Sequence, residues 1–126
     1  MSLFEEVRSS SGAIIDVRPR KKYFRSRAHC NPLSYNDSFN YPTSPADLEW
    51  EKLYPDLVEE RRKVSVLDLG MGFGGLTVAL AKHYPEETVM GIEIRARVCE
   101  FVRLRIEALR LEKPDGIDYK NAACLR

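Results

Sequence analysis

The chain has 126 residues, 44% hydrophobic and 31% charged, with a net charge of +1, which suits one modest globular domain. No apolar run approaches the length of a membrane span, and MSLFEEVRSSSG lacks the apolar stretch of a secretory signal. Cys30, Cys99 and Cys124 are scattered and form no CxxC-type pair; this argues against a disulfide framework or a zinc site and for a reducing compartment.

Charge is unevenly spread along the chain. RPRKKYFRSR, Arg18 to Arg27, holds six cations and no acid, and Arg61-Arg62-Lys63 forms a second cluster. A third lies between Arg95 and Arg110, with five arginines against two glutamates. Local basic patches of this kind favour polyanionic partners.

Residues 1–20 show few apolar positions and no sustained period, and read as a mobile tail. Residues 21–63 form a basic and aromatic extension with Tyr23, Phe24, Tyr35, Phe39 and Tyr41. Within it Ser44-Pro45-Ala46-Asp47 predicts a helix start, with Ser44 as cap, Pro45 in the first turn and Asp47 completing a box-like pattern. Tyr54-Pro55 ends that helix. Trp50 and Tyr54 read as packing anchors.

Residues 64–126 begin the main body. Val64 to Leu69 is a buried strand by its aliphatic run and its flanks. Gly70 to Gly75 is a turn, Leu76 to His83 a short helix, and Thr88 to Ile92 a second strand. Arg95 to Arg110 is the best helix in the chain, with Val98, Phe101, Val102, Ile106 and Leu109 on one face. Its remaining arginines read as a solvated face, with Arg103 and Arg110 open to a partner or RNA. After the turn at Lys113-Pro114-Asp115-Gly116, Ile117 to Leu125 predicts a third strand. Strand–helix–strand–helix–strand gives an α/β fold with a parallel sheet.

The turn supports two readings. Gly70, Gly72 and Gly75 fit GxGxxG, the dinucleotide pattern, whereas Asp68, Gly70, Gly72 and Gly74 fit DxGxGxG, the pattern of S-adenosylmethionine (SAM) methyltransferases. Both expect an acid at the end of the second strand for ribose hydroxyls, and Glu93 supplies it, 23 positions after Gly70. Spacing alone leaves both cofactors open, and with them a nicotinamide oxidoreductase.

Longer stretches add a resemblance. KKYFRSRAHCNPL, the Tyr41-Pro42 pair, DLEWEKLYP, DLGMGFGGL, GIEIRARVCEFVRLRIEALR and NAACLR occur in the order and spacing of the eukaryotic tRNA (guanine-N7-)-methyltransferase catalytic subunit, which the chain resembles over roughly residues 19–126. The resemblance implies a Rossmann-like methyltransferase fold, truncated here after about three of the seven or so strands such sheets contain. It implies SAM as methyl donor, with Gly70 in the cofactor turn and Glu93, Ile94 and Arg95 on the ribose and adenosine side. It implies a variable-loop guanine of tRNA as acceptor, a noncatalytic WD-repeat partner and a nuclear location. It tilts the basic arm toward RNA contact by Arg25, Arg27 and His29, against a solvated tail or a nuclear localisation signal. The family's catalytic Asp falls beyond Arg126, so no catalytic residue is expected within the chain, and the chain alone is expected to be inactive. A noncatalytic fragment that occupies RNA or the WD-repeat partner is the alternative from another class.

Overall fold

A computed structural model describes residues 4–8, 14–26 and 40–126. In chain order the elements are β1 (Phe4–Arg8), β2 (Ile14–Pro19), α1 (Trp50–Leu53), β3 (Val66–Leu69), α2 (Gly75–His83), β4 (Val89–Ile92), α3 (Ala96–Glu112) and β5 (Ala122–Leu125). Short 3-10 turns lie at Lys21–Tyr23, Pro45–Asp47, Glu59–Arg61 and Pro114–Gly116. No helix among the described residues is long and apolar enough to cross a membrane.

The sheet is parallel, in the order β3-β4-β5. Val66, Val89 and Ala122 stand in one row and Leu69, Ile92 and Leu125 in another, so the three strands end level. This is the α/β arrangement that the alternation of strands and helices predicts. The third strand is shorter than expected: Tyr119 takes a left-handed φ of 52°, and extended pairing begins only at Ala122. Asn121 is buried there, its Nδ2 within 3.0 to 3.1 Å of the Ala81, Tyr84 and Glu87 carbonyls.

One face of the sheet carries α2 and α3. Val78 and Ala81 from α2 and Phe101, Val102 and Ile106 from α3 close over Val89, Ala122 and Cys124. The periodic face predicted for α3 is the buried one, with Val98 and Val102 fully enclosed. The other face carries a smaller cluster in which Tyr54 and Leu57 cover Met90 and Ala123. Tyr54 is fully buried, and its hydroxyl donates to the Val89 carbonyl at 2.8 Å. Trp50 stacks on it, with ring centroids 6.0 Å apart.

Three further expectations change. Residues 1–20, read as a tail, include the antiparallel pair β1–β2. Ile14, Ile15 and Val17 favour strand, and the segment is too short to show a period. Within β2, Arg18 pairs with Glu112 at 2.5 Å, and beyond it the Phe24 ring centroid lies 5.8 Å from that of Phe101. Second, Ser44 caps nothing: its hydroxyl and that of Thr43 donate to the Asp47 carboxylate, each at 3.1 Å. The expected helix is accordingly broken into the Pro45–Asp47 turn and α1. Third, Arg110 points inward rather than to a partner. It donates to the carbonyls of Leu53 at 2.9 Å, Tyr119 at 3.4 Å and Ala122, tying α1 to α3 and β5. Arg103 remains on the surface between Glu100 and Glu107.

Among the described residues no strand pairs the outer edge of β3. Leu67 is 52% and Leu69 77% exposed there. Beside them an open groove of about 610 Å³ runs over Leu48, Trp50, Met90, Ile92 and Leu125.

Candidate functional site

Because the strands end level, their following residues gather on one rim. The chain leaves β3 through Gly70, whose N–H donates to the Ile92 carbonyl at 2.8 Å; the Met71 N–H donates to the same oxygen at 2.9 Å. Gly70 and Gly72 hold φ of 77° and 58°, a region closed to most side chains. A Cβ added at either would meet nothing within 4 Å, so the turn has open space over it.

Glu93 follows β4 and turns back toward this opening. Its Oε1 accepts from the Gly72 N–H at 3.2 Å and its Oε2 from the Arg95 N–H at 3.0 Å. The Arg95 guanidinium lies alongside, with Nε 3.1 Å from Oε2 and Nη2 3.3 Å from Oε1. Burial pushes the Glu93 carboxyl up, but the hydrogen bonds and charge of Arg95 and the Gly72 N–H outweigh it and hold the group below its ordinary value. The result is an ionised acceptor, nearly enclosed, at the mouth of a glycine turn. Such a group binds vicinal hydroxyls by accepting from both. Arg95 already uses both oxygens, so a diol would share the carboxylate with the guanidinium or displace it.

Backbone angles separate the two overlapping glycine patterns. The left-handed positions are Gly70, Gly72 and Gly74, at 77°, 58° and 83°. These are the glycines of DxGxGxG. The third glycine of GxGxxG serves close packing of helix on strand. Gly75 does not do that here, since a Cβ on it meets nothing within 4 Å. Close approach falls instead on Gly74, where a Cβ would come within 2.8 Å of Val102, and on Gly91, where it would come within 2.4 Å of Met71.

The predicted positions Gly70, Glu93, Ile94 and Arg95 thus lie together on the carboxyl rim. Ile94 is 37% exposed, and its carbonyl accepts from Arg126 Nε at 2.8 Å. Arg25 is exposed, outside this cluster; Arg27 and His29 lie outside the described residues. The sequence reading missed Thr77, which is fully buried and donates to Asp68 Oδ2 at 2.8 Å, fixing the first turn of α2 to the end of β3. Its signal was available, because Thr is an unusual polar residue on the inner face of a short helix. Among the described residues no group of three or more His, Cys, Asp or Glu could hold a metal ion.

Comparison with known proteins bears on this rim directly. Residues 62–126 match the family described as "Putative methyltransferase". Proteins named tRNA (guanine-N(7)-)-methyltransferase are similar over most of the chain. That of Meyerozyma guilliermondii is 47% identical over 109 residues, covering 86% of this chain and 40% of its own length. That of Bombyx mori is 46% identical over 108 residues, with 86% and 44% covered. That of Schizosaccharomyces pombe is 42% identical over 123 residues, with 94% and 45% covered. The chain spans less than half the length of these curated relatives. The family match takes in more than half of the chain and contains the glycine turn, Glu93 and all three parallel strands, so the chain belongs to this methyltransferase family.

Proposed function

We propose that the chain carries the SAM-binding segment of a tRNA (guanine-N7-)-methyltransferase. The observation that supports this most directly is the open space over Gly70 and Gly72, faced by the ionised Glu93 carboxylate 3.2 Å from the Gly72 N–H. The names of its relatives supply the acceptor, guanine N7 in tRNA. SAM supplies an electrophilic methyl on a sulfonium, and guanine N7 has a lone pair and no proton to remove. The protein's part is therefore positioning and electrostatics rather than base catalysis. Glu93 accepts hydrogen bonds from the ribose hydroxyls. Arg95 keeps that carboxylate ionised and oriented, and the glycine turn admits the methionine portion without a Cβ in the way. Ile94 lines the adenosine side.

Arg25, which is exposed, and with it Arg27 and His29, are assigned to tRNA phosphates. A WD-repeat protein as partner and a nuclear location complete the reading by resemblance.

Ligand-dependent melting tests the cofactor. A ligand at 100 times its Kd stabilises the native state by about 2.7 kcal/mol. SAM should raise the melting temperature of this chain, NADH should not, and Glu93→Gln should abolish the SAM effect. No response to SAM, or an equal one to NADH, would sink the proposal. Tritiated methyl on guanine N7 of a tRNA transcript, measured with a full-length relative and a WD-repeat partner present, tests the acceptor.

A further inference from the structure

We propose that the slot between the Lys21–Tyr23 turn and the first turns of α3 binds one splayed nucleobase of single-stranded RNA. The inference rests on the RNA reading of the basic arm and adds to it a site that reads bases rather than phosphates. The slot measures about 300 Å³ and is lined by Tyr23, Phe24, Ala96, Arg97 and Glu100. That is the lower end of the range for small-ligand sites, suited to a single flat ring system.

Its walls have the chemistry of base recognition. Phe24 is held in place by Phe101, 5.8 Å away between ring centroids, and so offers a stacking surface that needs no ordering on binding. Tyr23 lines the slot beside it, with its hydroxyl oxygen enclosed away from solvent, so its contribution is the ring. Arg97 is exposed and brings a planar guanidinium that stacks on a base or bonds to its edge. Ala96 adds only a methyl to the lining, and both Glu100 carboxylate oxygens are engaged by the Arg103 guanidinium.

Surrounding charge specifies a polyanion. Lys21, Lys22 and Arg25 are exposed on the same short stretch as Tyr23 and Phe24. Lys21 Nζ sits 4.3 Å from the Phe73 ring centroid and Lys22 Nζ 5.1 Å from that of Tyr23. Cations interleaved with rings fit a strand whose phosphates and bases alternate. The slot begins three residues after Glu93, so a base held there lies toward the same rim as the glycine turn.

The test compares the full chain's affinity for an eight-nucleotide single-stranded RNA and for an abasic ribose-phosphate strand of equal length. Stacking of one base predicts about tenfold tighter binding of the base-bearing strand. Arg25→Ala should weaken both strands alike. Arg97→Lys keeps the charge and removes the plane, so it should lose most of the preference while leaving abasic affinity and its salt dependence unchanged. Tyr23→Leu should do the same, with melting curves confirming that it folds. Equal wild-type affinity for the two strands overturns the slot and leaves the basic arm standing. A preference that survives both Arg97→Lys and Tyr23→Leu also overturns it. Binding of neither strand overturns the slot together with the RNA reading beneath it.

Discussion

Replacing Glu93 by Gln conserves shape but removes a charge and one acceptor. The carboxylate accepts from Gly72 and Arg95 at four distances between 3.0 and 3.3 Å. Gln has one oxygen and one NH2, so either orientation sets a donor against the N–H groups on one side. The two side chains are only 8% and 17% exposed, so the discount for a surface ion pair is small. Hydrogen bonds to charged groups contribute about 1.5–3 kcal/mol each, and a net loss of about 2 kcal/mol at neutral pH is expected for this cluster. For a chain of this size that is a fall in Tm of roughly 5–10 °C. Acid supplies the sign. Because Arg95 and Gly72 hold the folded carboxyl below its ordinary value despite burial, the contribution is complete above the unfolded value of about 4.3. It is lost as pH falls through the lower folded value. Urea unfolding followed by Trp50 fluorescence should therefore show a gap between wild type and Glu93→Gln that is widest at pH 7 and closes in acid. Equal midpoints at pH 7, or a gap of unchanged size in acid, would refute the reasoning.

Two glycines give opposite expectations. Gly91→Ala puts a methyl 2.4 Å from Met71 Sδ and 2.6 Å from Thr77 Oγ1, an overpacking of about 1–3 kcal/mol, and should weaken SAM binding because Met71 sits between Gly70 and Gly72. Gly75→Ala, on a helical residue with free space, should stabilise by up to about 1 kcal/mol; a loss of SAM binding there would return the turn to the GxGxxG reading. Tyr54→Phe removes the buried bond to the Val89 carbonyl and should cost about 1–2 kcal/mol in urea unfolding at pH 7. Burial raises the Tyr54 phenol well above its ordinary value. Its neutral form therefore contributes stability below the unfolded value of about 10 that is lost as pH rises toward the folded one. Wild type should lose stability above pH 10 more steeply than Tyr54→Phe, and parallel curves would count against the burial argument.

The parts of this fold that were legible in sequence are those fixed by local pattern. The aliphatic run before Gly70 and the 3.6-residue period of α3 each specify an element without reference to the rest of the chain. What the sequence hid depends on distant partners. Arg110 reads as a solvated helix-end cation until the carbonyls of Leu53, Tyr119 and Ala122 are seen converging on it. Ser44 reads as a cap until Asp47 takes its hydroxyl. At the rim, spacing placed Gly70 and Glu93 but could not choose between two glycine patterns, because φ is set by the turn as a whole. Nor could it show that Arg95, two residues along, claims the carboxylate of Glu93.

The outer edge of β3, which no strand pairs among the described residues, bears on how the stability of this chain is defined. Its backbone groups and the two leucines beside them form a template that a second molecule can use. Where a second molecule pairs there, folding and association share one equilibrium, and mass action makes the melting temperature a function of protein concentration. In that case a single free energy of unfolding holds only at the dilution where that edge meets water alone.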